Sequence, residues 1–258
     1  MKNRITYFFI SILCCFISAV SAGDDFVEFE KEIFFNHTIL KKIPNNIENE
    51  NYLKLNKDGI KVYVYRHKDS DFWVFKSSTD INASLDSILA VMFDNNSGEM
   101  WIDACKKSFL IKKISFNERY HYHVFDIPFP FNDRDFIFHS TLKQNPLDKS
   151  VTIKMFSAYD YCYDKQIIQC DEVNQSKLVR VVKSFGAFKL APNKNGTKIT
   201  WIQDSDPAGN LPSWLVNQLV ENTPYRTFKN LKKIVQNKKY NDAKLIYDAN
   251  GMAIDLKY

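Results

Sequence analysis

Apolar and polar positions alternate with a period of two over Lys61-Val-Tyr-Val-Tyr65, just after Gly59. β-Branched and aromatic residues in that alternation predict a strand. Phe72-Trp-Val-Phe-Lys-Ser-Ser-Thr79 reads as its hairpin partner. The period then changes. Leu85, Ile88, Leu89, Met92 and Phe93 recur at helical spacing behind Asn82-Ala-Ser84, which supplies cap residues, and Asn95-Asn-Ser-Gly98 ends that helix. Trp101 follows in a short connection. Strands are then predicted at about 107–116, 119–127, 134–143 and 150–158. Two longer ones, at 177–191 and 197–205, are joined by the hairpin turn Pro192-Asn-Lys-Asn-Gly196. The last pattern is helical again. Leu215, Val216, Leu219, Val220, Phe228, Leu231 and Val235 form one broad apolar face on a helix starting near Pro212, a residue suited to a first turn. Phe26, Phe29, Ile33 and Phe34 predict an earlier helix within residues 23–58, followed by a loop at Pro44 and the Asn-rich stretch behind it.

Helices, then a run of antiparallel strands, then one long helix make an α+β pattern rather than alternating βαβ units. A curved antiparallel sheet closed by a single C-terminal helix buries that helix on one face and leaves space between the two, a natural ligand site. Pro224 falls inside the last helix and removes one backbone hydrogen bond, so a kink is expected there. It would serve either as a hinge in that helix or as curvature around the sheet. The domain is expected to span 23–238. The remaining tail, 239–258, is polar and mixed, either a short helix or a flexible arm.

Composition narrows the chemistry. The chain has 258 residues, 45% of them hydrophobic, enough for one sizeable core. Its 7 glycines include no phosphate-loop or dinucleotide fingerprint. Lys2 and Arg4, the apolar stretch from Tyr7 to Val20 and the small residues Val20-Ser21-Ala22 predict a cleaved signal segment over 1–22. Its removal would take the net charge from +5 to +3, too weak to argue for nucleic acid. The chain is thus expected to be exported, periplasmic or secreted. Three cysteines would remain: Cys105, Cys162 and Cys170. In an oxidising compartment a disulfide could join Cys162 to Cys170 around a short loop, leaving Cys105 as a buried thiol; the alternative is three unpaired core cysteines.

No segment reads as strong catalytic chemistry. His121, His123 and His139 could ligate zinc, but His139 has the opposite parity to the inferred inner face and no acidic partners are evident, so no metal and no cofactor are expected. Polar contacts from the histidines are the expected role, although the parity of the 119–127 strand cannot be read. Arg134-Asp135 could clasp a phosphate or form a structural salt bridge, for instance to Asp206. Trp101 and Trp214 suit an interface with ligand or membrane, or ordinary packing. Lys229, Lys232 and Lys233 could approach an anionic membrane, or simply form a solvated face.

Three segments in order carry a family resemblance. They are Gly98-Glu-Met-Trp101 with the strand ending Ile111-Lys-Lys-Ile114; Pro128-Phe-Pro-Phe-Asn-Asp-Arg134-Asp135-Phe136; and Asp206-Pro-Ala-Gly209-Asn-Leu-Pro212-Ser-Trp214-Leu-Val216-Asn217. Together they resemble the START lipid-transfer domains over about residues 50–236. The resemblance implies a helix-grip fold with an internal tunnel for one phospholipid, sterol or other apolar lipid, a lid made by the last helix and a neighbouring loop, and no covalent chemistry. A monomer touching membranes transiently is the expected form. Expected ligand contacts are Trp101, His121, His123 and Phe125; Arg134, Phe136, Phe138 and Ser140; and Trp214, Leu215, Gln218 and Leu219. Sterol carriers of that family place an arginine six residues after the first of the Arg-Asp pair; here that position is Ser140, which puts a sterol in doubt. The competing expectation is a helix-grip cyclase or hydrolase using His121, His123 or Asp126 as acid or base.

Overall fold

A computed structural model describes residues 48–66, 73–163, 167–173 and 177–258. The signal segment, the helix predicted around Phe26–Phe34 and Phe72 lie outside these residues. The alternating stretches form strands because their β-branched and aromatic side chains fit a pleated surface. In chain order these are β1 (Leu53–Lys57), β2 (Ile60–Arg66), β3 (Trp73–Ile81), β4 (Cys105–Ser115), β5 (Glu118–Phe125), β6 (Arg134–Gln144), β7 (Val151–Ser157), β8 (Val179–Arg180), β9 (Lys183–Asn193) and β10 (Gly196–Asp206). They make one sheet in the order β1-β2-β3-β10-β9-β7-β6-β5-β4, with β8 pairing parallel to β6 and every other pair antiparallel.

Helix α1 (Leu85–Phe93) begins at Ser84, whose side chain accepts from the Ser87 amide, and buries Ile88, Leu89, Ala90 and Val91. The following Asn95–Ser97 is a single tight turn, and Gly98 opens rather than ends a helix, α2 (Gly98–Trp101). A Cβ at Gly98 would stand 2.4 Å from Ser108 Oγ, so only glycine lets α2 lie this close to β4. Helix α3 (Ser213–Ile234) packs its distal half, Phe228, Leu231 and Val235, fully buried in the main core beside α1, β2, β3, β9 and β10. Its proximal half belongs to a separate small cluster in which Leu215 and Val216 meet Ile127 and Leu211.

Three local expectations change. β1 arises within the segment 23–58, where no strand is predicted, although Leu53-Lys-Leu55 alternates in the right way. The strand predicted over 177–191 breaks at Val181-Val182, because β8 leaves to pair with β6 before β9 begins. The tail is folded: α4 (Lys238–Asn241) leads into a hairpin of β11 (Lys244–Tyr247) and β12 (Ala253–Lys257). Tyr240, Ala243, Leu245 and Ala253 join the main core. The Leu245 amide donates to Asp86 Oδ2 at 3.0 Å and that of Ala253 to Gln144 Oε1 at 3.0 Å. Two short alternating runs around Asn250-Gly251 were the available signal.

Cys162 and Cys170 form a disulfide, and Cys105 is free and buried. The disulfide staples a segment against the outer face of β4–β6, where Val173 and both cysteines bury Ile111, Tyr122, Val124 and Ile137. This end of the sheet is therefore covered on both faces.

Candidate functional site

On the inner face lies a cavity of about 240 Å³, bounded by the sheet, α1, α2 and α3. Antiparallel pairing puts directly opposed residues on the same face. In β5 and β6 these pairs are Arg119 with Ser140, His121 with Phe138, His123 with Phe136, and Phe125 with Arg134. All eight line the cavity. The unread parity of β5 is thus odd-numbered inward. The opposite wall is aromatic: Trp201 lies edge-on to Phe75 and stacked on Phe188, with centroids 4.7 Å and 5.0 Å away. Trp101 closes the space from α2 and Leu219 from α3.

Three other expected contacts are not part of this wall. Trp214 is 67% exposed, Gln218 is exposed, and Leu215 is buried in the small cluster beside Ile127. The helix turns the strip Val216, Leu219, Val220, Thr223 and Thr227 inward instead. These positions follow the i, i+3, i+4 periodicity of one face. Counting from Trp214 selects a neighbouring strip, which is why those three fall outside.

A hydrogen-bonded chain crosses the cavity floor. His121 Nε2 lies 2.5 Å from Ser140 Oγ, and His121 Nδ1 lies 2.7 Å from His123 Nε2. His123 Nδ1 then faces the Cys105 sulfur at 3.9 Å. Burial holds both imidazoles neutral, lowering His121 well below its usual value and His123 to about 4. Burial likewise pushes the Cys105 thiol up to about 12, so it is no ready nucleophile. His139 lies on the other face, bonded to Glu118 at 2.8 Å. Among the described residues no cluster of three or more His, Cys, Asp or Glu is placed to hold a metal. Asp126 pairs with Lys106 at the rim, apart from the histidines.

Arg134 and Asp135 diverge, as neighbours on a strand must. Arg134, 4% exposed, does not pair with Asp206. Its guanidinium donates to the carbonyls of Asn132 (2.5 Å), Pro207 (3.1 Å) and Ala208 (2.9 Å). Ala208 and Gly209 both have positive φ, 56° and 65°, in the turn presented to the guanidinium. A Cβ at Gly209 would sit 3.2 Å from Arg134 Nη2. The segments 128–136 and 206–217 are thus one device, a proline turn clasping the entry to α3. Asp135 points outward and takes Arg180 at 2.7 Å and the Tyr122 hydroxyl at 2.9 Å, bonds that hold the stapled segment.

Sequence reasoning missed several lining residues, chiefly Arg119, Trp201 and Gln203. Gln203 donates to Ser184 and Ser205, each at 2.9 Å, and makes a polar spot on the far wall. Arg119, 8% exposed, donates to the Phe116 carbonyl at 2.9 Å and stacks its guanidinium 3.4 Å over Phe93. Its signal was the unbroken alternation Arg119, His121, His123, Phe125 along one strand.

Comparison with known proteins gives a consistent result. A family model described as "START domain" matches residues 53–241. An uncharacterised protein of Pseudomonas aeruginosa is 30% identical over 185 residues, 71% of this chain and 86% of the relative. The phosphatidylcholine transfer protein of Mus musculus is 22% identical over 190 residues, 72% of this chain and 83% of its own length. The solved structure of a STAR-related lipid transfer protein from Xanthomonas axonopodis superposes with a TM-score of 0.63 at 29% identity, covering 72% of this chain and 98% of that one. Human STARD10 shares the fold, with a TM-score of 0.62 at 20% identity over 84% of this chain and 79% of its own.

Proposed function

The chain belongs to the START domain family, and we propose that it carries one apolar lipid inside its cavity and moves it between membranes without altering it covalently. The observation that carries this reading is the aromatic-walled, largely apolar space beneath α3. Each Å² of apolar lipid surface removed from water contributes about 25 cal/mol before the entropic costs of binding. Residues of one chain supply the whole cavity lining, which is consistent with a monomer.

Loading needs an opening, and α3 is unevenly held. Beyond Pro224 it is buried at Phe228, Leu231 and Val235 and tied to the core by the Asp103 amide donating to Thr227 Oγ1 at 3.0 Å. Before Pro224 it rests mainly on the small cluster, with Val220 also touching the main core, and Pro224 leaves the Val220 carbonyl without its helical donor. The proximal half is the lid and Pro224 its hinge. Phe129 is 96% exposed between Ile127 and Phe131, and Trp214 stands exposed between Leu211 and Leu215. Those four flanking residues share the small cluster, so both exposed rings sit at the lid's edge, where they enter a membrane surface. Lys229 and Lys232 do not serve there, since Asp58 engages both. The leader-like N-terminus and the disulfide support export to a periplasmic or extracellular space.

Mass spectrometry of organic extracts from protein made in its native host tests this reading. One lipid enriched to near stoichiometry, against a heat-unfolded blank, is expected. No lipid in that extract, and none after incubation of delipidated protein with mixed membrane lipids, would overturn it. A second reading, hydrolysis of a lipid ester, is favoured by the Ser140–His121–His123 chain. Strongly suppressed imidazole basicity argues against it. Conversion of a bound ester to product by purified protein would establish it.

A further inference from the structure

Arginine is almost never buried without a partner. Arg119 is buried, lines the cavity, and has no carboxylate within ion-pair distance among the described residues. Its guanidinium has five N–H donors. The Phe116 carbonyl takes a bond from Nη2, and the face of the plane is covered by Phe93. Of the two acids on the cavity wall, Asp94 is engaged by Lys239 and by the Tyr240 hydroxyl, and Asp126 by Lys106. The Tyr258 phenol approaches Arg119, but as a neutral group at ordinary pH it offers no counter-charge. The stacked plane is held in one orientation, so little freedom remains to be lost when a planar or tetrahedral oxyanion engages its open edge.

The position is as informative as the charge. Along β5, Arg119 lies six residues from Phe125, which opposes Arg134 at the clasp beside the lid. That spacing is about 20 Å of strand. Phe125, Phe136 and Phe138 make the surface between them apolar, with the Ser140–His121–His123 chain beside them.

Resting on the carrier reading, we propose that the cargo is an anionic lipid, with a carboxylate or phosphate head held deep in the cavity by Arg119 and its hydrocarbon running back toward the lid.

The test uses delipidated full-length chain and displacement of a bound neutral fluorescent lipid. Palmitic acid is compared with its methyl ester, and phosphatidic acid with diacylglycerol of the same acyl chains. Charge-assisted hydrogen bonds predict that at least one anionic member binds about 10- to 100-fold tighter than its neutral partner. In Arg119→Gln that preference should fall to within about threefold, while affinity for the neutral lipids stays. Arg119→Lys keeps the charge without the fork and should retain part of it. Equal binding of acid and neutral partner by the unaltered protein, or a preference that survives Arg119→Gln, overturns the inference and leaves the carrier reading standing. Failure of all four lipids to displace the bound fluorescent lipid overturns the inference and leaves the carrier reading standing, whereas failure of the fluorescent lipid and all four to bind counts against both. Displacement by inorganic phosphate, without a preference among the lipids, overturns the assignment of the site to a lipid head. The comparison of acid with ester in the unaltered protein decides the matter even if the variants fold poorly.

Discussion

Arg119 and Arg134 stand on adjacent strands at opposite ends of one cavity, both more than nine-tenths buried, and they do opposite things. Arg134 is used up by its own chain. Three carbonyls from two segments converge on it, and through them the turn before α3 is held to the strand. Arg119 is bound to one carbonyl and one ring, and the rest of its edge borders open space. The difference teaches that a buried charge becomes structural when the backbone supplies its partners, and available for a ligand when it does not.

The largest test of that contrast is Arg134→Met, which strands three carbonyls around an apolar side chain. A loss of about 3–5 kcal/mol in chemical denaturation is expected, with faster lipid release. Arg119→Gln should stay within about 1 kcal/mol of the unaltered protein, because it removes little bonding and relieves a desolvated charge. Equal losses in the two variants would erase the distinction.

Acid sharpens the comparison next, because the histidines between the two arginines are held neutral. An imidazole whose folded pKa lies below its unfolded one costs nothing above the unfolded value. Its neutrality becomes a penalty as the unfolded chain takes up the proton. Stability should therefore fall as pH drops from 6.5 toward about 4, by about 1.4 kcal/mol per pH unit for His123 alone. His121 adds to the fall in the same direction. A double variant, His121→Phe with His123→Phe, should flatten denaturation midpoints across that window. An unchanged slope would show that neither imidazole is held neutral.

The smallest expected effect concerns the lid. Pro224→Ala restores a donor to the Val220 carbonyl and should stiffen the junction between the two halves of α3. Transfer between vesicles should slow several-fold while equilibrium affinity changes little, since opening rather than binding is altered. Faster transfer would place the hinge elsewhere.

Much of this molecule was legible in the linear pattern. The strands from Cys105 to Ser157, the Lys183–Asp206 hairpin and α3 follow from period and turn chemistry. The inward face of β6 followed from parity once Arg134 was placed, and Phe136, Phe138 and Ser140 do line the cavity. The parity of β5 was not legible, and the reason is physical. Alternation identifies a face only where one side is wet, and here Tyr122 and Val124 are buried under the stapled segment while His121 and His123 are buried facing the cavity. The folded tail escaped for a related reason. Its core contribution is Tyr240, Ala243, Leu245 and Ala253, spread over α4, the turn after it, β11 and β12, and they form no long periodic run.

The sequence by itself determined the order of elements, the two proline-rich turns and a sheet closed by one helix, because these rest on local periodicity and backbone preference. Tertiary structure alone decided which buried polar groups find partners. That depends on atoms brought together from Asn132, Arg134, Pro207 and Ala208 at one end and from Phe93, Phe116 and Arg119 at the other. A hydrogen bond is satisfied by proximity in space, which composition and spacing along the chain do not encode.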